Sequence, residues 1–241
     1  MPRRALIWLT GCAVLAGGAW LWLRPSPITL GVRGPASVFG CAWPRDAEDT
    51  AAGKSVLDAV VRFAPEKGRA ELQAARESAR QSDGRADLAF SPDRKTTLSA
   101  AAGAPVEGGL VLPSAAVLQT RGVDKCYLLL RFEPASGLLE APARRRWMGT
   151  GLAEALREAK TATVAVGEEG PPARTVATIA LDFGDGAKAE AALRRLIAQD
   201  ASGSPVAFTA SPGAAETSRL SGLVVVRLEA DVRLVNAALG H

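Results

Sequence analysis

Residues 161–183, TATVAVGEEGPPARTVATIALDF, decide how this chain folds. Thr161–Val166 and Arg174–Phe183 are dense in Val, Thr and Ile, whose branched side chains suit a pleated surface. Between them, Gly167-Glu-Glu-Gly-Pro-Pro-Ala173 concentrates residues that turn a chain. The stretch reads as two strands in a hairpin, which commits at least part of the sheet to antiparallel pairing. Helical periodicity brackets it. Thr150–Lys160 places Leu152, Ala155, Leu156 and Ala159 on one face, and Asp185–Gln199 does the same with Ala189, Ala192, Leu193, Leu196 and Ile197.

Working outward, three segments combine an apolar run, a turn and a helix start: Ile28–Phe39, Tyr127–Leu139 and Leu223–Val235. The first two share Pro-Ala-Ser at Pro35 and Pro134, and proline suits the first helical position because the N–H it lacks has no intrahelical partner there. The pattern predicts two repeated strand-turn-helix halves, 28–122 and 123–241. Ser55–Phe63 and Ala70–Ser82 read as helices, and Ala86–Phe90 and Thr96–Ala100 as strands joined through Ser91-Pro92-Asp93-Arg94. Gly108–Leu112 and Val206–Ala210 complete the strands. The expected class is α+β, an antiparallel or mixed sheet with helices packed on one face.

Ahead of this lies an unbroken apolar run, Ala5–Leu23, behind Arg3 and Arg4. As a helix it spans about 28 Å, close to the hydrocarbon thickness of a bilayer. Excess positive charge in front and Trp20 and Trp22 behind orient it N-in, C-out. The expected layout is a cytoplasmic stub (1–4), a transmembrane anchor (5–23), a short linker (24–27) and an exported domain. Two other readings use the same residues. Leu9-Thr10-Gly11-Cys12 has the order of a lipobox, which would lipidate Cys12, although the run stays apolar after it; small residues at Ala16–Ala19 suit a cleaved signal, although cleavage would leave Trp-Leu-Trp-Leu in water. All three export the domain. The Ala, Gly and Arg content suggests a GC-rich bacterial genome, hence an inner-membrane protein with a periplasmic domain.

Of 29 basic residues, Arg3, Arg4 and Arg24 flank the apolar run, so the exported part is nearly neutral against 25 acidic residues. That removes the basic face nucleic acid requires. Cys41 and Cys126 are the exported cysteines, and an oxidising compartment makes them a candidate disulfide, with two buried thiols as the alternative.

Few motifs carry chemistry. Gly53-Lys54-Ser55 imitates the end of a phosphate loop, but the required upstream glycine is Glu48, so a turn into a helix is expected. Gly184-Asp-Gly186-Ala-Lys-Ala189 has dinucleotide spacing, yet Asp185 puts negative charge where pyrophosphate would sit and reads better as a helix cap. Asp182 and Asp185 are oxygen donors without calcium-loop spacing. Glu168-Glu169 reads as solvated charge in a turn. His241 is the single histidine and the last residue, which removes imidazole-based triads and zinc sites. Arg144, Arg145 and Arg146 beside Trp147 form the one dense basic spot, suited to headgroups or an acidic partner.

The sequence therefore predicts a membrane-anchored extracytoplasmic interaction or structural module, without catalytic residues, metal or cofactor. Its partners would be the membrane, through the N-terminal helix, and a protein of the envelope. The rival readings are a periplasmic carrier of an apolar ligand or lipid and a hydrolase using two carboxylates.

Overall fold

The computed structural model describes residues 28–32, 38–64, 66–90, 97–101, 107–112, 125–133, 151–201, 208–212 and 222–229. Its strands are β1 (Ile28–Thr29), β2 (Val38–Ala42), β3 (Ala86–Phe90), β4 (Thr97–Ala101), β5 (Val111–Leu112), β6 (Lys125–Phe132), β7 (Thr161–Glu169), β8 (Arg174–Asp182), β9 (Phe208–Pro212) and β10 (Leu223–Glu229). The helices are α1 (Pro44–Glu48), α2 (Ala51–Phe63), α3 (Glu66–Gln81), α4 (151–158) and α5 (Gly186–Ala201). Eight strands form one sheet in the order β4-β3-β2-β6-β7-β8-β10-β9, and every pairing in it is antiparallel. The class is α+β, and among the described residues the sheet is antiparallel throughout.

The hairpin that opened the sequence reading is β7–β8, paired from Thr161↔Asp182 to Glu169↔Arg174 around the loop Gly170–Ala173. The strand runs further than its composition suggests. Glu168 and Glu169 are its last two residues, paired with Thr175 and Arg174, and not part of a turn. Successive strand residues point to opposite faces, so these two carboxylates diverge.

The sheet has two differently covered faces. On one, Leu57, Val60 and Leu72 of α2 and α3, Leu152 and Leu156 of α4, and Ala192 and Leu196 of α5 share a core with Leu88, Leu128, Val166, Ile179 and Val226. On the other, Leu30, Val32 and Leu112 pack on Cys41, Ala89, Leu129, Ala165 and Val176. The second cover is the two-stranded β1–β5 ribbon, extended by Leu30 N–H to Leu110 carbonyl and Leu110 N–H to Val32 carbonyl bonds. The α2, α3 and α5 termini follow the sequence to within a few residues. α2 begins earlier than expected, at Ala51, because the Thr50 hydroxyl accepts the Gly53 N–H and caps it.

One segment is corrected. Ile28–Phe39 was expected as strand, turn and helix start, yet Val38 and Phe39 open strand β2. β2 lies at the middle of the sheet against β6, with Cys41 opposite Leu129. Gly40 permits that approach, since a Cβ there would fall 2.2 Å from the Leu129 carbonyl oxygen. β2 and β6 each connect through helix to an adjacent antiparallel strand, β3 or β7, which pairs in turn with the next strand, β4 or β8. No helix among the described residues is long and apolar enough to cross a membrane. The run Ala5–Leu23, Cys12, the helix starts after Pro134 and Asp231, Arg144–Arg146 and His241 all lie outside the described residues.

Candidate functional site

The most unusual chemistry lies on β3. All five of its residues are buried, and one is Asp87, fully enclosed between apolar Ala86 and Leu88. A buried carboxylate needs compensation. Arg85, two residues earlier and so on the same face, donates from Nε to Asp87 Oδ1 at 2.8 Å. The Gly31 N–H donates to Oδ2 at 2.7 Å. Arg85 Nη2 also donates to the Thr29 carbonyl. Both members of the ion pair therefore grip the backbone of residues 29–31, which cross the sheet at this point. Burial pushes the Asp87 carboxyl above its ordinary range, against the opposing pull of the Gly31 N–H and the Arg85 charge.

Cys41 lies next to this pair, and Cys126 beyond it on β6, where a register irregularity between Cys126 and Leu128 turns its side chain onto the same face. Both are buried free thiols. Burial raises both, Cys126 to about 12 and Cys41 further, with the Arg85 charge counteracting it at Cys41. Cys41 faces Leu129, and Cys126 lies three residues along from Leu129, or about 10 Å at strand rise. A disulfide asks for Cα atoms within roughly 7 Å. On the helical face, Tyr127 is fully enclosed beside Thr175 and Glu168, and its hydroxyl is pushed up to about 12, chiefly by burial.

The sequence motifs resolve locally. Gly53 belongs to the first turn of α2, with Lys54 exposed beside it. Its lack of a side chain lets the Ala47 carbonyl of α1 approach to 2.2 Å from where a Cβ would stand. Asp185 Oδ1 accepts the Ala187 and Lys188 N–H groups at 2.8 and 3.1 Å, filling the start of α5. Those bonds, Lys188 first, hold its carboxyl below the usual range. Strand β8 before it is antiparallel to both neighbours, so the parallel crossover of a dinucleotide fold is missing here. Asp182 Oδ1 accepts the Gly184 N–H at 2.8 Å, while the Lys160 ammonium lies over Gly184, which is a poor setting for calcium. No cluster of three or more metal-ligating side chains occurs among the described residues.

Elsewhere, charge is spent in clamps. Arg76 pairs with Glu48 at 2.9 Å and Asp58 at 2.6 Å, joining α1, α2 and α3. Lys125 bridges Asp46 and Asp49 at 3.3 and 3.2 Å. Arg195 of α5 meets Glu158 of α4, and Arg227 of β10 meets Glu169. Between α2, α3 and strands β2 and β3, the recess lined by Leu57, Val60, Leu72 and Leu88 measures about 20 Å³, room for about one water. The Asp87–Arg85 pair escaped sequence reading, although an acidic residue inside an apolar strand is a visible signal. No protein family, curated protein or solved structure matches the chain.

Proposed function

We propose that the chain is a single-pass membrane protein whose extracytoplasmic α+β domain acts by binding a protein of the envelope and not by catalysis. The carrying observation is where the groups whose pKa burial raises lie. Cys41, Asp87, Cys126 and Tyr127 are each enclosed between layers of the fold, with exposures of 0–6%. Catalytic groups with shifted pKa values must instead line a cleft that substrate enters. Glu168 and Glu169 project to opposite faces of β7, which disfavours a two-carboxylate hydrolase. The recess of about 20 Å³ under α2 and α3 is far below the several hundred Å³ that enclose a small ligand, which disfavours an apolar carrier at that place. The address rests on Ala5–Leu23 and its flanking arginines.

The two repeated halves remain part of this reading with altered equivalences: β2-β3-β4 corresponds to β6-β7-β8, back to back across the β2–β6 pairing. Native electrophoresis of gently solubilised membranes tests the interaction role. The chain is expected in an assembly well above its own 25.0 kDa plus detergent, and migration as a lone chain overturns the reading. Mass spectrometry of the native amino terminus tests the anchor: a start at Met1 or Pro2 supports a retained span, and a lipidated Cys12 refutes it.

A further inference from the structure

We propose that residues 28–32 are a strap latched over the second face of the sheet by Arg85 and Asp87, able to leave that face while the helix-covered core stays folded. This goes beyond the binding role proposed above and does not depend on it. The first observation is backbone pairing. The strap's ladder partner is β5 in the two-stranded ribbon, not a strand of the eight-stranded sheet. Among the described residues, its polar ties beyond the ribbon are to Arg85, through the Thr29 carbonyl, and to Asp87 of β3, through the Gly31 N–H. The second observation is that the two clusters of buried side chains are separate. Leu30, Val32 and Leu112 pack with Cys41, Ala89 and Leu129, while the α2, α3, α4 and α5 contacts all belong to the other cluster. Losing the strap therefore leaves the larger core intact.

The third observation is the nature of the latch. A carboxylate with 0% exposure and a guanidinium beside it are costly to keep out of water, and breaking such a pair is far more damaging than never having had it. The strap returns water to Asp87 when it lifts, so the latch carries its own drive toward release, opposed by burial of Leu30 and Val32. Regions of this kind, with few ladder bonds and a separable apolar contact, open below the free energy of global unfolding. Among the described residues, the groups facing Asp87 are Arg85, directly before β3, and Cys41 on β2, with Cys126 of β6 beyond Cys41, while the strap presents the Thr29 carbonyl and the Gly31 N–H. An open strap bares Cys41, which is fully covered when it is closed.

Hydrogen exchange of the full-length chain in detergent, read peptide by peptide, tests this. Asp87→Ala removes the charged acceptor of Gly31 and is expected to speed exchange of the 28–32 and 108–112 amides at least about tenfold, with β7 and β8 unchanged. Asp87→Asn keeps an oxygen able to accept the Gly31 N–H and should restore part of the protection. Arg85→Lys keeps the charge but loses the reach to Thr29, and carries the test if Asp87→Ala fails to fold. Alkylation of Cys41, followed by mass spectrometry, should rise in step with strap exchange. Unchanged strap protection in every folded variant overturns the proposal. So does equal acceleration in the strap and in β7–β8, which would make the pair an ordinary part of one cooperative core.

Discussion

Replacing Gly53 by alanine sets two effects of opposite sign against each other, and the geometry says which wins. Gly53 lies in the first turn of α2, where alanine ordinarily gains up to about 1 kcal/mol over glycine in helix propensity, less near an end. Its Cβ, however, would stand 2.2 Å from the Ala47 carbonyl oxygen and 2.9 Å from the Ala47 Cα, both backbone atoms of α1. Ordinary contact begins at 3.4 Å, so α1 must withdraw by roughly 1 Å. It is not free to do so. Ala47 is fully buried, its carbonyl already accepts the Thr50 N–H at 3.3 Å, and Glu48 next to it pairs with Arg76 at 2.9 Å. Overpacking against a fixed partner costs about 1–3 kcal/mol, so the net expectation is destabilisation by about 1–2 kcal/mol. In a chain of this length that lowers Tm by roughly 2–8 °C. Thermal unfolding of the full chain in detergent, followed by circular dichroism, measures it, with Lys54→Ala at the neighbouring exposed site expected to change little. A Gly53→Ala chain that melts at or above the parent temperature would refute the close approach and return Gly53 to an ordinary helix start.

The remaining predictions use the buried titratable groups and one clamp. Tyr127 is the single tyrosine, so the ultraviolet signal of tyrosinate belongs to it alone; it should stay protonated past pH 10 and appear only near 12, with stability present below 10 lost between those values as the unfolded chain ionises first. A transition at 10 in the folded chain would mean the hydroxyl reaches water. Alkylation without reductant should leave Cys41 and Cys126 unlabelled in the native chain and label both in denaturant; resistance in denaturant would reveal a bridge and contradict the register of β2 on β6. The raised Asp87 carboxyl binds its proton more tightly folded than unfolded, so its contribution to stability grows as pH falls through the folded value and is complete below the unfolded one. Strap exchange, corrected for intrinsic rate, should accordingly slow on mild acidification, and acceleration there would reverse the sign assigned to burial. Arg195→Gln removes the pair with Glu158 between α4 and α5, and because Arg195 is 39% exposed the loss should stay under about 1 kcal/mol in denaturant unfolding.

What sequence could and could not reveal follows from the range of the forces involved. The β7–β8 hairpin was legible because its strands and its Gly-Pro turn act within a few residues of each other. The buried faces of α4 and α5 were legible because Leu152, Leu156, Ala192 and Leu196 recur at helical spacing. β2 was not, because Val38–Ala42 is short and its place depends on Gly40 admitting the backbone of β6, a partner far along the chain. The shared Pro-Ala-Ser at Pro35 and Pro134 stands ahead of strand β2 in one case and behind strand β6 in the other.

The Arg85–Asp87 pair shows the same division at a single site. An aspartate within ADLAF advertised that β3 must supply a partner for a charge, and Arg85 two residues earlier met that need locally. What the pair holds was invisible, because Thr29 and Gly31 each lie 56 residues from the side chain that bonds them. Ile28–Thr29 is a strand as its composition suggests, yet propensity is silent on which sheet such a strand joins. In this chain its ladder among the described residues is with β5 alone, and its ties to the large sheet are one ion pair and a few aliphatic side chains. On the proposal made above, that difference puts the opening of residues 28–32 under the control of the Arg85 and Asp87 charges.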